Sequence, residues 1–117
     1  SVARDALEAC EAAIKPGRPM GEVFAAHAQV FDKAGLGHAR LNACGYAMGA
    51  IYNPIWVDFP MFYENNPTVM RESQVFFLHM ILMDSDAGLA MCLGHSVEVT
   101  AHGAKRLSRH APDLFEL

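Results

Sequence analysis

A few side chains could do proton chemistry at positions where their neighbours do none. His79 interrupts the otherwise apolar run of residues 75–83. A buried polar group needs a partner, and an imidazole with an ordinary pKa of about 6.5 exchanges protons near neutral pH. His79 is therefore a candidate general acid/base or substrate-binding group. Tyr46 stands in Gly45-Tyr46-Ala47-Met48-Gly49-Ala50. Its phenol either donates a hydrogen bond or proton to a leaving group or substrate carboxylate, or packs as a turn aromatic. Asp58 either orients a cationic or amide group or is a solvated loop carboxylate. Tyr52 and Trp56, in the same stretch, either shape a pocket or pack on a sheet. His95 is read two ways, as a structural histidine on a bulky strand face or as a substrate-binding residue.

Other reactive types fit plainer roles. Cys10, Cys44 and Cys92 are widely spaced, with no CxxC pair and no zinc-like interval, and read as buried reduced thiols of a cytoplasmic protein. His27 lies on an apolar helix side with no second liganding residue a turn away, which favours a core histidine. Asp84-Ser85-Asp86 resembles the start of a calcium loop, but the glutamate that such a loop needs at its twelfth position is missing. His102 and His110, in polar surroundings, read as surface residues.

The elements that must position these residues follow from periodicity. Residues 3–14 carry good helix formers, with Leu7, Cys10, Ala13 and Ile14 at helical spacing, and stop at Lys15-Pro16-Gly17. Residues 20–34 predict a second amphipathic helix, with Val23, Phe24, His27, Val30 and Phe31 on one side and Gly35 as its stop. Residues 39–44 then predict a short strand, residues 45–50 a glycine-bracketed turn, and residues 52–67 a structured loop too rich in large apolar side chains to float free. Residues 75–83 read as a strand covered on both faces, residues 84–88 as a turn and residues 89–100 as the second strand of an antiparallel hairpin. A short strand at residues 105–107 follows. In the second strand, alternation puts Leu89, Met91, Leu93, His95, Val97 and Val99 on a bulky face. Gly88, Ala90, Cys92, Gly94, Ser96, Glu98 and Thr100 fall on a small or polar one, which either packs closely or forms a cavity wall.

Composition narrows the function classes. The 117 residues amount to one domain's length. At 52% hydrophobic and 19% charged, the chain is not disordered. A formal charge of -4 without a Lys/Arg run offers no electrostatic footprint for nucleic acid or an anionic membrane. No stretch approaches the roughly 18 uninterrupted apolar residues of a spanning helix. The expectation is a soluble cytoplasmic protein with no nucleic-acid or membrane partner. The opening Ser-Val-Ala-Arg-Asp-Ala-Leu-Glu reads as the middle of a helix without an initiator Met, so a piece of a longer chain is expected.

Five features occur in a telling order: two helices joined by Lys-Pro-Gly, a strand ending in Gly-x-x-x-Gly, a proline-rich aromatic loop, Val-Phe-Phe-Leu-His-Met-Ile-Leu, and Ser-Val-Glu-Val-Thr-x-x-Gly-x-x-x-Leu-Ser. This order resembles the C-terminal part of the pita-bread catalytic domain of creatinase, prolidase (Xaa-Pro dipeptidase), aminopeptidase P and methionine aminopeptidase. The resemblance covers nearly all of residues 1–117. It implies an α+β fold, with two helices followed by a mainly antiparallel curved sheet.

The metallopeptidases of that superfamily hold two divalent metals with two aspartates, one histidine and two glutamates around a bridging water. The resemblance places the aspartates before the helical pair, upstream of Ser1. It puts the family histidine at Tyr46, the first glutamate at His79 and the second at Gly94, with His95 beside it. A phenol is a poor metal ligand at neutral pH, and glycine offers none. The expectation is that no metal is bound here. If the alignment is shifted by one residue on the last strand, His95 replaces Gly94, and a pair of manganese, iron or zinc ions is the alternative.

Residues 45–58 resemble the Gly-Tyr-x-x-Gly-x-x-Tyr-x-Pro-x-Trp-x-acid stretch of ectoine hydrolases, with Asp58 at the acidic position and His79 as a departure from that branch. Like creatinase, these enzymes cleave a non-peptide C–N bond. The resemblance thus implies a hydrolase of a small amino-acid-like or dipeptide substrate, dimeric in its natural length. A catalytically inactive binding or assembly module is one alternative, and the dimethylsulfoniopropionate lyase branch of the superfamily is another.

Overall fold

The computed structural model describes residues 1–49 and 57–112. Helix α1, Val2–Ala13, buries Ala3, Ala6, Leu7 and Cys10, and helix α2, Met20–Lys33, buries Met20, Val23, Phe24, His27 and Phe31. Both sets recur every three or four residues, as one face of a helix requires. Between the helices, Lys15-Pro16 cannot continue a helix, because the residue before a proline is pushed into extended conformations.

Five strands form one open sheet in the order β2-β1-β3-β4-β5, with every neighbouring pair antiparallel. These are β1 (Ala43–Ala47), β2 (Asp58–Tyr63), β3 (Val75–Asp84), β4 (Leu89–Thr100) and β5 (Gly103–Arg106). The two helices lie on one side. Phe76, Leu78 and Met80 of β3, Val97 and Val99 of β4, Phe62 of β2 and Cys44 of β1 form a single buried cluster with them. Val75, Phe77, His79 and Ile81 face the other way and stay half-buried. The expectation that β3 is covered on both faces thus holds fully for one face only.

Two predicted elements are displaced. The expected strand at residues 39–44 is a short 3-10 turn, Gly37–Ala39, followed by β1, so Gly45 and Tyr46 lie inside a strand and not in a turn. Gly45 has φ +156, and a Cβ there would run into the Phe77 carbonyl and the Phe62 ring. Glycine here marks a bulge and a close strand approach, as register shifts on either side of Tyr46 confirm. The expected loop at residues 52–67 contains β2. Pro60 is tolerated in β2 because the strand is at the sheet edge and needs no second ladder. Residues 64–68, which follow β2, form an ordered loop. The buried Asn66 donates from Nδ2 to the Met61 carbonyl at 2.6 Å and accepts from the Thr68 N–H at 3.0 Å. The Met20 N–H then donates to the Thr68 carbonyl at 2.8 Å, which ties the loop to α2.

One ion-pair cluster joins α1 to the far edge of the sheet. Glu11 accepts from Arg106 at 2.6 and 3.1 Å and lies 2.7 Å from His95 Nδ1. Burial pushes the Glu11 carboxyl up, but hydrogen bonds from Arg106 and His95 outweigh it and hold the pKa below the ordinary value. Removing the carboxylate leaves the buried His95 without its partner while Arg106 stays in contact with water, so Glu11→Ala is expected to lower stability by about 1–3 kcal/mol in urea unfolding at pH 7. A loss under about 1 kcal/mol would show that the cluster is as weak as an exposed pair.

Candidate functional site

The helix-free face of the sheet gathers the reactive side chains. Tyr46 of β1 pairs with Phe77 of β3, and two residues along β3 stands His79. The ring centroids are 5.6 Å apart for Tyr46 and Phe77, 5.1 Å for Phe77 and His79, and 6.4 Å for Tyr46 and His79, the last pair meeting edge to face. A cavity of about 420 Å³ opens beside them, lined by Tyr46, Met61, His79 and Ile81 among others. A larger depression of about 550 Å³, around Pro19 and Val69, has Glu22 as its one titratable side chain.

Cys92 is the residue that sequence reasoning misplaced. Cys10 and Cys44 are buried as expected, but Cys92 is exposed, with its Sγ 2.6 Å from His79 Nε2. In the β3–β4 register His79 faces Gly94 and Ile81 faces Cys92, so the thiol reaches His79 diagonally across the hairpin. Burial lowers the His79 pKa below the usual histidine value, which leaves the ring neutral at pH 7. Burial first, and then the negative charge of a Cys92 thiolate, push the Tyr46 phenol up. Tyr46 therefore keeps its proton at neutral pH.

The other expected site residues are distributed differently. Asp58 opens β2 opposite Ala47, and its Oδ1 accepts from the Phe59 N–H at 2.7 Å. Its carboxylate fills the place that a Cβ on Gly49, two residues past the end of β1, would take. Tyr52 and Trp56 lie outside the described residues. His95 is on the helix-covered face, 3% exposed and held by Glu11. The structure does not bring it to Tyr46 and His79, and the structural reading of His95 is the one its surroundings match. A one-residue shift that put His95 at the second glutamate position would aim its ring at α1 instead of the site, because successive strand residues face opposite ways.

The sequence profile of metallopeptidase family M24 matches residues 1–101. The chain belongs to metallopeptidase family M24. A search of curated proteins found no match. Among solved structures, the chain is similar to dipeptidase PepE from Mycobacterium ulcerans, with 20% identity and a TM-score of 0.85 over 97% of this chain and 29% of that one. It is also similar to prolidase from Pyrococcus furiosus, with 20% identity and a TM-score of 0.83 over 94% of this chain and 31% of that one. A third similar structure is an Xaa-Pro dipeptidase from Bacillus anthracis, at 16% identity and a TM-score of 0.87 over 99% of this chain and 31% of that one. The two helices and open antiparallel sheet are thus part of the pita-bread fold. The M24 chain spans about three tenths of the length of these relatives. Among its described residues, no helix is long and apolar enough to cross a membrane.

A family named for metal use raises the question whether these residues fit a metal pair. At the three positions where the resemblance expects a histidine and two glutamates, the M24 chain has a protonated phenol, an imidazole against a thiol, and a glycine. The side-chain space of Gly94 is already occupied by the Phe77 ring, and a Cβ there would stand 2.8 Å from the Leu78 carbonyl oxygen. No group of three or more His, Cys, Asp or Glu placed to hold a metal occurs among the described residues. At these positions the donor types differ from the histidine and two glutamates that the resemblance expects. Gly94→Ala is expected to cost about 1–3 kcal/mol in thermal or urea unfolding, because Phe77 must move and the Leu78 carbonyl cannot. An unchanged midpoint would mean that β3 and β4 yield more readily than their register suggests.

Proposed function

We propose that the M24 chain is one part of a larger pita-bread catalytic domain that hydrolyses a C–N bond of a dipeptide or small amino-acid-like substrate without a metal. The observation that carries this reading is the meeting of Tyr46 and His79 beside a cavity on the helix-free face. His79, neutral at pH 7, takes and returns a proton. Tyr46, held protonated, donates to the developing charge or the leaving nitrogen. Asp58 orients the substrate's amide or cationic group. The reading includes a cytoplasmic homodimer.

The similar structures named as a dipeptidase, a prolidase and an Xaa-Pro dipeptidase make Xaa-Pro dipeptides the first substrates to try, with ectoine beside them. The natural-length protein is expected to release free amine from at least one of these. Absence of turnover on every dipeptide and on ectoine, with tight binding of one of them, would replace the enzyme by a binding module. Release of an unsaturated product without uptake of water would point to the lyase branch.

A further inference from the structure

We propose that Cys92 is the nucleophile of this site and His79 its base. The inference rests on the C–N hydrolase reading and adds a covalent step to it. A thiol on a strand is unremarkable alone, but Cys92 differs from the other cysteines in three respects. It is exposed where Cys10 and Cys44 are buried, its sulfur is in contact with the His79 Nε2 atom, and it shares the sheet face of His79 and Tyr46, which line the adjoining cavity. Nucleophile and base within hydrogen-bond reach are the geometric signature of an activated thiol. With the His79 proton on Nδ1, the Nε2 atom accepts from the Cys92 thiol.

The Cys92 side chain is exposed, so a substrate carbonyl can reach the sulfur from solvent. Tyr46, whose phenol keeps its proton, supplies a donor on the neighbouring strand for the oxyanion or the leaving nitrogen.

The chemistry balances with water as the only co-reactant. The Cys92 thiol proton passes to His79 Nε2 as Sγ bonds to the substrate's carbonyl carbon. The tetrahedral adduct collapses, the C–N bond breaks, and the imidazolium returns the proton to the departing nitrogen, leaving a thioester on Cys92. A water then gives a proton to His79 and attacks the thioester carbon. The C–S bond breaks and the proton goes to sulfur, which restores the thiol and releases a carboxylic acid. Overall, one amide and one water become one acid and one amine.

The test uses the natural-length protein, iodoacetamide and mass spectrometry. Cys92 is expected to be alkylated about tenfold or more faster at pH 6.5 in the wild type than in His79→Ala, while Cys10 and Cys44 stay unmodified in both. Equal rates in wild type and His79→Ala, with both proteins showing the same thermal midpoint, would overturn the pairing. For a substrate that turns over, Cys92→Ser and Cys92→Ala are expected to lose at least about 100-fold in kcat, and quenched wild type to carry the mass of the acyl group. Turnover within about threefold of wild type in both variants would overturn the inference and leave the hydrolase reading standing. A wild type that turns over nothing would overturn the hydrolase reading, and the activated thiol would then stand or fall on the alkylation rates.

Discussion

His79→Ala is expected to lower kcat for the hydrolysed substrate by about 10²–10⁴-fold, with little change in KM. The size follows from its position. It is the imidazole on the helix-free face, in contact with the Cys92 thiol and edge-on to Tyr46, so no neighbouring described side chain on that face replaces it as a proton acceptor. The ring is half-buried and outside the core cluster, so the variant is expected to fold with nearly the wild-type thermal midpoint. The pH profile sharpens the prediction. Burial holds the His79 pKa below the ordinary 6.5, so the basic form persists as the solution is acidified, and the acid limb of kcat/KM is expected below pH 6.5. Tyr46, pushed above its ordinary 10, is lost as a donor only at strongly alkaline pH. Neither His79 nor Tyr46 changes its protonation state between pH 7 and 9. An acid limb above pH 7, or a variant within about threefold of wild type, would remove His79 from the mechanism.

Acid is expected to weaken the folded state through a different histidine. His27 on α2 is 1% exposed, with its ring 5.4 Å from Phe24 and 4.9 Å from Phe31, and its buried Nδ1 has no hydrogen-bond partner. Burial, and to a lesser degree the Arg40 charge, lower its pKa from 6.5 to about 4, against the opposing pull of Asp32. The unfolded chain therefore binds a proton between these values that the folded chain refuses. The stabilisation is fully present above pH 6.5 and is lost as the pH falls towards 4. The gap is worth about 3 kcal/mol. Urea unfolding at pH 7 and pH 4.5 should show the wild type losing about 2–3 kcal/mol more than His27→Leu over that interval. Equal losses in the two proteins would mean that the folded state accommodates the charged ring.

Both histidines were visible in the sequence, and the structure separates them by what surrounds each. His27 fell at helical spacing among Val23, Phe24 and Phe31 and is a core residue, as that spacing predicts. His79 stood out because a single imidazole broke an apolar strand. The helical pair and the β3–β4 hairpin were legible for the same reason: long segments with one dominant period leave little choice. The middle of the chain was not. The glycines around Tyr46 suggested a turn, and the prolines of residues 52–67 suggested a loop. Yet Gly45 serves close strand contact at a bulge, and Pro60 sits in an edge strand where its missing N–H does no harm. Local composition is the same in either case, and tertiary pairing decides.

Cys92 was misplaced through an unused signal. Once residues 84–88 are read as the hairpin turn, Asp84 pairs with Leu89, and counting back sets Ile81 beside Cys92 and His79 beside Gly94. That register brings the thiol to the imidazole without any structure. The same counting sends His95 to the opposite face, where Glu11 and Arg106 hold it. Those partners lie more than 80 residues apart in the sequence, and no local pattern announces them.

In the proposed reading, Tyr46 and His79 support C–N hydrolysis where the metallopeptidases would use a pair of metals. It is tested most directly by measuring turnover and metal content on the same sample of natural-length protein, dialysed against a strong chelator and assayed on an Xaa-Pro dipeptide or ectoine, whichever it hydrolyses. The expected result is undiminished kcat with far less than one metal per chain, and no gain when manganese, iron or zinc is added. Activity that vanishes with the metal and returns at two equivalents per chain would contradict it.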